Sequence, residues 1–230
     1  NKPVEYKKYL QECWGFVKDL KPSFNSLKAN ILFAYLNVCL ELNQPDFALF
    51  SEYIKLPRQK YYANLEYFQK NSLGNEYIQY QKSYATFIQV PPIPSDEKLV
   101  ETYLYKLIKS SASLTEYQPF FEKQFFSKFE AETKITTGLG KPEDFYTILQ
   151  PADLDRIKNS VEISFTEQNT KIHFASDAIK LSMQLKNISE LEIQIYKLNM
   201  LDFYRLKNEE IKQDVSLEGY TPNITKRISY

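Results

Sequence analysis

The chain has 230 residues, 43% of them hydrophobic and 15% aromatic, so we expect a folded protein whose core is built from large rings. Lysine plus arginine equals aspartate plus glutamate at 29 each, which leaves no net charge to attract a polyanion and argues against a nucleic-acid partner. No apolar run reaches the roughly 18 residues that a membrane-spanning helix requires, so no membrane span is predicted.

The first segment is predicted to be helical. Apolar residues recur at intervals of three and four over residues 6–20, and residues 27–42 are apolar on most sides, as in a central helix. Pro45 and Asp46 suit the first turn of a short helix that ends before Pro57.

The two cysteines fall on the first two predicted helices. In an antiparallel helix pair, Cys13 and Cys39 would lie on the order of 13 Å apart, beyond the roughly 7 Å limit between the Cα atoms of a disulfide. Two free thiols favour a reducing, intracellular compartment. The glycosylation-type triplets at residues 187–189 and 223–225 stand against this interpretation, but such triplets are common by chance.

Residues 57–94 are predicted to form a long connection that is dense in tyrosine, with one helix around residues 76–86. If its tyrosines are exposed, they form a protein-recognition surface, because tyrosine gives a large contact area at a small entropic cost. If they are buried, they pack the connection onto the helices, and this alternative is favoured. The candidate interface residues are Tyr61, Tyr62, Tyr67, Tyr77, Tyr80 and Tyr84.

Helical patterns continue to about residue 158. Residues 95–97 are a good helix start. Residues 115–118 have the spacing of a capping box, and the phenylalanine stripe that follows places Phe125 in the core of a helix that should stop at Gly138. Two further short helices are predicted at the first-turn prolines Pro142 and Pro151.

After about Asn159 the apolar period changes from 3.6 to 2. Four short alternating runs separated by polar turns predict antiparallel strands, and two more runs follow towards residue 230. The predicted fold class is therefore α+β, with an all-α domain at residues 1–158 and an antiparallel β-sandwich at residues 159–230. This second stretch is short for a seven-stranded sandwich, so we expect the domain to be incomplete here.

The titratable side chains do not form a catalytic set. His173 lies between two apolar residues of a predicted strand, and because neighbouring side chains of a strand point to opposite faces, His173 is expected to face solvent. One histidine and two separated cysteines supply neither a zinc site nor a Cys–His nucleophile. Residues 138–141 resemble a phosphate loop only in part, and a helix C-cap is the better interpretation. Acidic pairs such as Glu130 and Glu132 are expected to be solvated, so we predict no enzyme, no cofactor and no metal site.

Residues 185–198, with the sequence LKNISELEIQIYKL, resemble the paired strands of macroglobulin-type β-sandwich domains. Residues 56–62, 131–140, 199–205 and 215–219 are similar to large bacterial and protist proteins that carry such domains after a helical region. The resemblance implies a modular part of a very large protein, and the richness in Asn, Lys, Ile and Tyr suits a protist. It brings no catalytic residues, because the thioester motif of macroglobulins has no counterpart here.

The leading hypothesis is a non-catalytic scaffold or protein-interaction segment of a larger protein. Its partners would be other proteins or other domains of the same parent protein. The alternative is a part of a macroglobulin-type protease inhibitor or an enzyme-associated protein whose active elements lie outside this chain.

Overall fold

The computed structural model of the chain describes residues 2–71, 76–166, 169, 180–207 and 216–230. The chain divides into two compact units, Asn1–Lys158 and Asn159–Tyr230, called unit 1 and unit 2 below.

Eight α-helices are described from Lys2 to Asn159, in agreement with the helical N-terminal part predicted from the sequence. They are α1 (Lys2–Val17), α2 (Asn25–Glu41), α3 (Phe47–Ile54), α4 (Leu65–Asn71), α5 (Ala85–Ile88), α6 (Glu97–Lys109), α7 (Lys123–Thr136) and α8 (Pro151–Asn159). The connection predicted to hold one helix at residues 76–86 instead contains α4 and the short α5.

Helix α2 is the central helix of unit 1, as its apolar sequence predicts. Ala29, Leu32 and Leu36 are fully buried, and α1, α3 and α6 pack on it. Both cysteine thiols are free. Cys39 is buried within α2, and its burial raises the pKa of the thiol above the ordinary value.

Helix α7 begins later than the sequence predicts. A tight turn at Gln118–Phe120 precedes it, and Glu122 caps it by accepting a 2.6 Å hydrogen bond from the Phe125 N–H. Phe126 is buried, whereas Phe125 is half-buried and packs at the edge of the core. The helix ends just before Gly138, whose φ of 73° requires the left-handed conformation that glycine adopts freely.

Unit 2 contains strands β1 (Glu162–Phe165), β2 (Met183–Lys186), β3 (Glu190–Ile195) and β4 (Ile224–Ser229), and helix α9 (Met200–Lys207). Strand β1 pairs antiparallel with β2, and β3 pairs antiparallel with β4, so each described sheet has only two strands. The predicted β-sandwich is therefore wrong.

The alternating pattern correctly predicts strands at β1, β3 and β4 and in part at β2, but it does not determine how these strands pair. Ile163 pairs with Leu185, and Phe165 with Met183, so these apolar side chains share one face of their sheet, as alternation requires. A sandwich also needs the apolar faces of two larger sheets to cover each other, and Ile163 and Phe165 stay exposed instead. The predicted strand run at residues 172–174 lies outside the described residues. A further strand was expected at Val215 and Leu217. Val215 is also outside the described residues, and Leu217 does not lie in a strand.

Among the residues that the structure describes, no helix is both long and apolar enough to cross a membrane.

Candidate functional site

The segment between α3 and α4 is fixed to the loop that precedes α7. Ala63 and Phe121 form an antiparallel bridge. The Glu122 N–H donates to the carbonyl oxygen of Tyr62 over 2.8 Å, and the Asn64 N–H donates to that of Phe120 over 3.0 Å. Tyr61 and Tyr62 are the two central residues of a turn in which the Ala63 N–H donates to the carbonyl oxygen of Lys60 over 3.0 Å. Tyr62 is buried, whereas Tyr61 is exposed.

Beneath this segment lies a fully buried ion pair. The guanidinium of Arg58 lies 3.0 Å from Oδ2 of Asp96, and their side chains are 1% and 0% exposed. The same carboxylate oxygen accepts hydrogen bonds from the hydroxyls of Tyr53, at 2.8 Å, and Tyr80, at 2.9 Å. Burying two charges is tolerated only where such added hydrogen bonds offset the loss of hydration.

The guanidinium of Arg58, like the carboxylate of Asp96, makes several hydrogen bonds. It donates to the Tyr62 hydroxyl and to the Leu56 carbonyl, both at 3.2 Å, and to the Tyr53 carbonyl. It also lies over the ring of Tyr53, 4.2 Å from the ring centre. The buried network thus joins the end of α3, the segment after it and the start of α6.

Burial raises the pKa values of the Tyr53, Tyr62 and Tyr80 hydroxyls, against the opposing effect of the nearby Arg58 charge. These phenols therefore stay protonated at neutral pH and act as hydrogen-bond donors. A tyrosine that acts as a general base or a nucleophile would need its pKa shifted in the other direction. The network is consequently suited to holding the fold together.

Above the network lies a surface that we call the Tyr61 surface, formed by Lys60, Tyr61, Glu97, Glu101 and Phe125. The Tyr61 side chain is 63% exposed. Its ring meets the rings of Phe125 and the buried Tyr62 edge to face, each at 5.7 Å between centres. The exposed ring is therefore supported from below by aromatic packing.

Charged groups border the ring of Tyr61. Nζ of Lys60 lies 2.9 Å from Oε1 of Glu97 and 4.7 Å from the centre of the Tyr80 ring. Glu97 and Glu101 are one turn apart on α6. Burial, followed by the charges of Glu101 and Glu97, raises the pKa of the Tyr61 hydroxyl.

The two carboxylates differ in their pKa. Hydrogen bonds from Ser95 and then Lys60 lower the pKa of Glu97. Burial, followed by the charge of Glu97, raises the pKa of Glu101. The Tyr61 surface therefore holds one stabilised carboxylate and one carboxylate whose charge is costly.

The structure distributes the six candidate interface tyrosines over different environments. Tyr61 is exposed, Tyr62 is buried, and the other four are half-buried: Tyr67, Tyr77, Tyr80 and Tyr84. Of these four, the first three pack against the main apolar core. Tyr61 is the member of the set whose ring is most open to a partner, and its role in an interface stays a prediction.

The other residues considered for chemistry occupy ordinary positions. Glu130 forms a surface ion pair with Lys134, and Glu132 forms one with Arg156. His173 lies outside the described residues. Within the described ranges, no group of three or more His, Cys, Asp or Glu side chains is placed to hold a metal ion.

Arg58 and Asp96 were not found by sequence reasoning. Asp96 directly precedes a helix, which is the usual position of an N-cap, but its side chain makes no cap hydrogen bond and turns inward to Arg58. Arg58 is followed by Gln59 and Lys60, and Asp96 is followed by Glu97 and Lys98, so nothing in the local sequence distinguishes the buried pair from solvated charges.

Residues 1–161 match the model of a known family, the actin-binding protein F N-terminal domain. The chain belongs to this family. A relative, actin-binding protein F of Dictyostelium discoideum, is 25% identical over 221 residues, which cover 95% of this chain and 9% of the relative. The chain thus spans less than a tenth of the length of that relative. No solved structure matches the chain.

Membership of the actin-binding protein F N-terminal domain family overturns the macroglobulin resemblance. The family match covers residues 56–62 and 131–140, two of the stretches on which that resemblance was based. The strand pair that it implied at residues 185–198 is also absent from the described sheets, because β2 pairs with β1 and β3 pairs with β4.

Proposed function

We propose that this chain is a non-catalytic protein-interaction module of a larger actin-binding protein, and that unit 1 contacts actin through the Tyr61 surface. Membership of the actin-binding protein F N-terminal domain family supports a protein partner, and the name of the Dictyostelium relative supports actin as that partner.

We choose this surface as the actin contact because of the environment of Tyr61. Its ring is 63% exposed, yet it is supported by Phe125 and Tyr62, and Tyr62 is bound in turn to the buried Arg58. A partner therefore meets a ring that is already ordered and loses little conformational entropy on binding it. Tyrosine is also among the residue types enriched at energetically dominant interface positions.

The test is co-sedimentation of the 230-residue chain with actin filaments. Tyr61→Ser should weaken binding by roughly 2 kcal/mol, about 30-fold, because a supported aromatic contact is lost. Circular dichroism should show an unchanged helical content, since Tyr61 lies on the surface.

Tyr146→Ser is the matched control. Tyr146 is 61% exposed, and it follows the turn at Pro142–Phe145. Phe145 packs against the cluster of Ala131, Leu149 and Ile157, whereas Tyr61 contacts Phe125 in the first turn of α7. This variant should bind as the unsubstituted chain does. Equal losses from the two variants, or no sedimentation of the unsubstituted chain with actin, would contradict the proposal.

A further inference from the structure

Residues 76–82, called the strap below, lie against helix α2 without forming a helix or a strand. Three buried polar side chains of α2 hold the strap, and each of them binds one of its main-chain groups. These hydrogen bonds are Asn25 Nδ2 to the Glu76 carbonyl (3.1 Å), Asn30 Nδ2 to the Lys82 carbonyl (3.0 Å) and the Gln79 N–H to Ser26 Oγ (3.0 Å). Because every peptide has the same main chain, these contacts do not depend on the sequence of the strap.

Two side chains of the strap are directed into unit 1. Ile78 is 6% exposed and packs in the main apolar core, and its N–H donates to the Pro57 carbonyl oxygen over 2.9 Å. The Tyr80 hydroxyl donates to Asp96 over 2.9 Å, whereas Gln79 between them is exposed. Proteins bind extended peptides in the same way, with hydrogen bonds to the main chain and pockets for alternate side chains. The strap is therefore held as a bound peptide would be.

The strap leaves two buried acceptors unused. Oδ1 of Asn30 and Oδ1 of Asp96 have no hydrogen-bond partner among the described residues, and both side chains are 0% exposed. Asn30 binds the strap at Lys82, and Asp96 binds it at Tyr80. A buried acceptor without a donor is costly. A peptide that supplied further donors at these two points would therefore make more hydrogen bonds here than the strap does.

We propose that α2 and the Arg58–Asp96 pair line a peptide-binding groove, and that an extended segment of a partner protein binds there in place of the strap. The segment would have an apolar residue and, two positions later, a tyrosine, as the strap has Ile78 and Tyr80. A neighbouring serine, asparagine or lysine side chain would supply a missing donor. The strap then acts as an inhibitor of the site that it occupies. This proposal does not depend on an actin contact at Tyr61.

The first experiment asks whether the strap can leave α2 while the rest of unit 1 stays folded. Native-state hydrogen exchange of the unsubstituted chain measures this at the N–H groups of Ile78 and Gln79, which are bonded to Pro57 and Ser26. After correction for intrinsic rates, both should exchange at least about tenfold faster than the N–H of Leu36 in α2, because local opening needs less free energy than global unfolding. Equal rates would show that the strap leaves only on global unfolding, which overturns the proposal.

The second experiment supplies a peptide to a chain whose strap is weakened by Ile78→Ser. The probe is the acetylated and amidated peptide of residues 76–82, EYIQYQK, and the control peptide is EYSQSQK. The probe alone should raise the melting temperature and shift the NMR signals of the Asn25 and Asn30 side-chain amides. Equal effects of the two peptides, or no effect of either, overturn the proposal. If Ile78→Ser does not fold, the milder Ile78→Ala replaces it, with the same two outcomes.

Discussion

At the scale of single residues, two neighbouring tyrosines have opposite roles. The hydroxyl of Tyr62 accepts a hydrogen bond from the buried Arg58, whereas the hydroxyl of Tyr61 lies at the surface. Removal of a partner from a buried, charged donor costs about 1–3 kcal/mol, while surface changes usually stay within about 0.5 kcal/mol.

We therefore expect Tyr62→Phe to lower the free energy of unfolding by about 1–2 kcal/mol, and Tyr61→Phe to leave it almost unchanged. The loss should fall at the lower end of the range because Arg58 keeps its bond to Asp96. Urea unfolding followed by circular dichroism measures both variants. Similar losses from the two would show that the buried network does not depend on the Tyr62 hydroxyl.

The single residues of the site were only partly predictable from the sequence. The tyrosine-rich connection is visible in composition, and it includes Tyr61. Composition cannot tell which ring faces outward, because the facing of Tyr61 and Tyr62 depends on the bridge between Ala63 and Phe121, which lie 58 positions apart in the sequence. The Arg58–Asp96 pair is hidden for the same reason, since its partners approach only in the folded chain.

At the scale of elements, helix α6 carries a like-charge pair, Glu97 and Glu101, four residues apart. The pKa of Glu101 is raised in the folded chain, so its ionised form destabilises the fold. This penalty is absent below the ordinary glutamate pKa of 4.5 and develops as the pH rises through the raised value. The groups that act on it are Glu97 and the Tyr61 hydroxyl, with Lys60 paired to Glu97.

Glu101→Gln should therefore be more stable than the unsubstituted chain at pH 7, and this gain should disappear below about pH 4. Glu97→Gln should show the opposite sign at pH 7, because the lowered pKa of Glu97 marks a carboxylate that stabilises the fold. Thermal unfolding at both pH values makes the comparison. A destabilised Glu101→Gln at pH 7 would show that the carboxylate contributes favourably to folding.

The first residues of α3, α6 and α7 show which local sequence signals were sufficient to predict where a helix begins. Before α3, Asp46 accepts a 3.0 Å hydrogen bond from the Leu49 N–H as the N-cap, so the helix is predicted but begins at Phe47, two residues later than the first-turn position expected for Pro45. Before α6, the start is correct, but the side chain of Asp96 is directed to the core. Before α7, the capping-box spacing at residues 115–118 is misleading, because the turn at Gln118–Phe120 intervenes.

At the scale of the whole molecule, we propose that the two units are separate folding units. Helix α8 packs Ile157 with Leu149 and Ala131 of unit 1, whereas Val161 is exposed. Limited proteolysis should therefore cut first at residues 159–161 and leave a resistant helical fragment, identified by mass spectrometry. A first cut inside α6 or α7, with residues 159–161 protected, would show that the units unfold together.

The helical part of the fold was predictable from the sequence because 3.6-residue periodicity is a local property. The β-sandwich was not, because alternation identifies a strand without naming its neighbour. Residues 190–195 were correctly expected to be extended, yet their partner is β4 at the far end of the chain. Residues 200–207, within the range assigned to the β-sandwich, form helix α9.

The bridge between Ala63 and Phe121 also limits how this region can vary in length. Tyr61 and Tyr62 occupy the two central positions of the turn that the Ala63 N–H closes on the Lys60 carbonyl, and the bridge to Phe121 holds the end of that turn. A single insertion between Lys60 and Ala63 would therefore break this four-residue turn and displace the Tyr61 and Tyr62 rings, even though every side chain is kept. The number of residues in this short segment is accordingly more constrained than the identity of its exposed members.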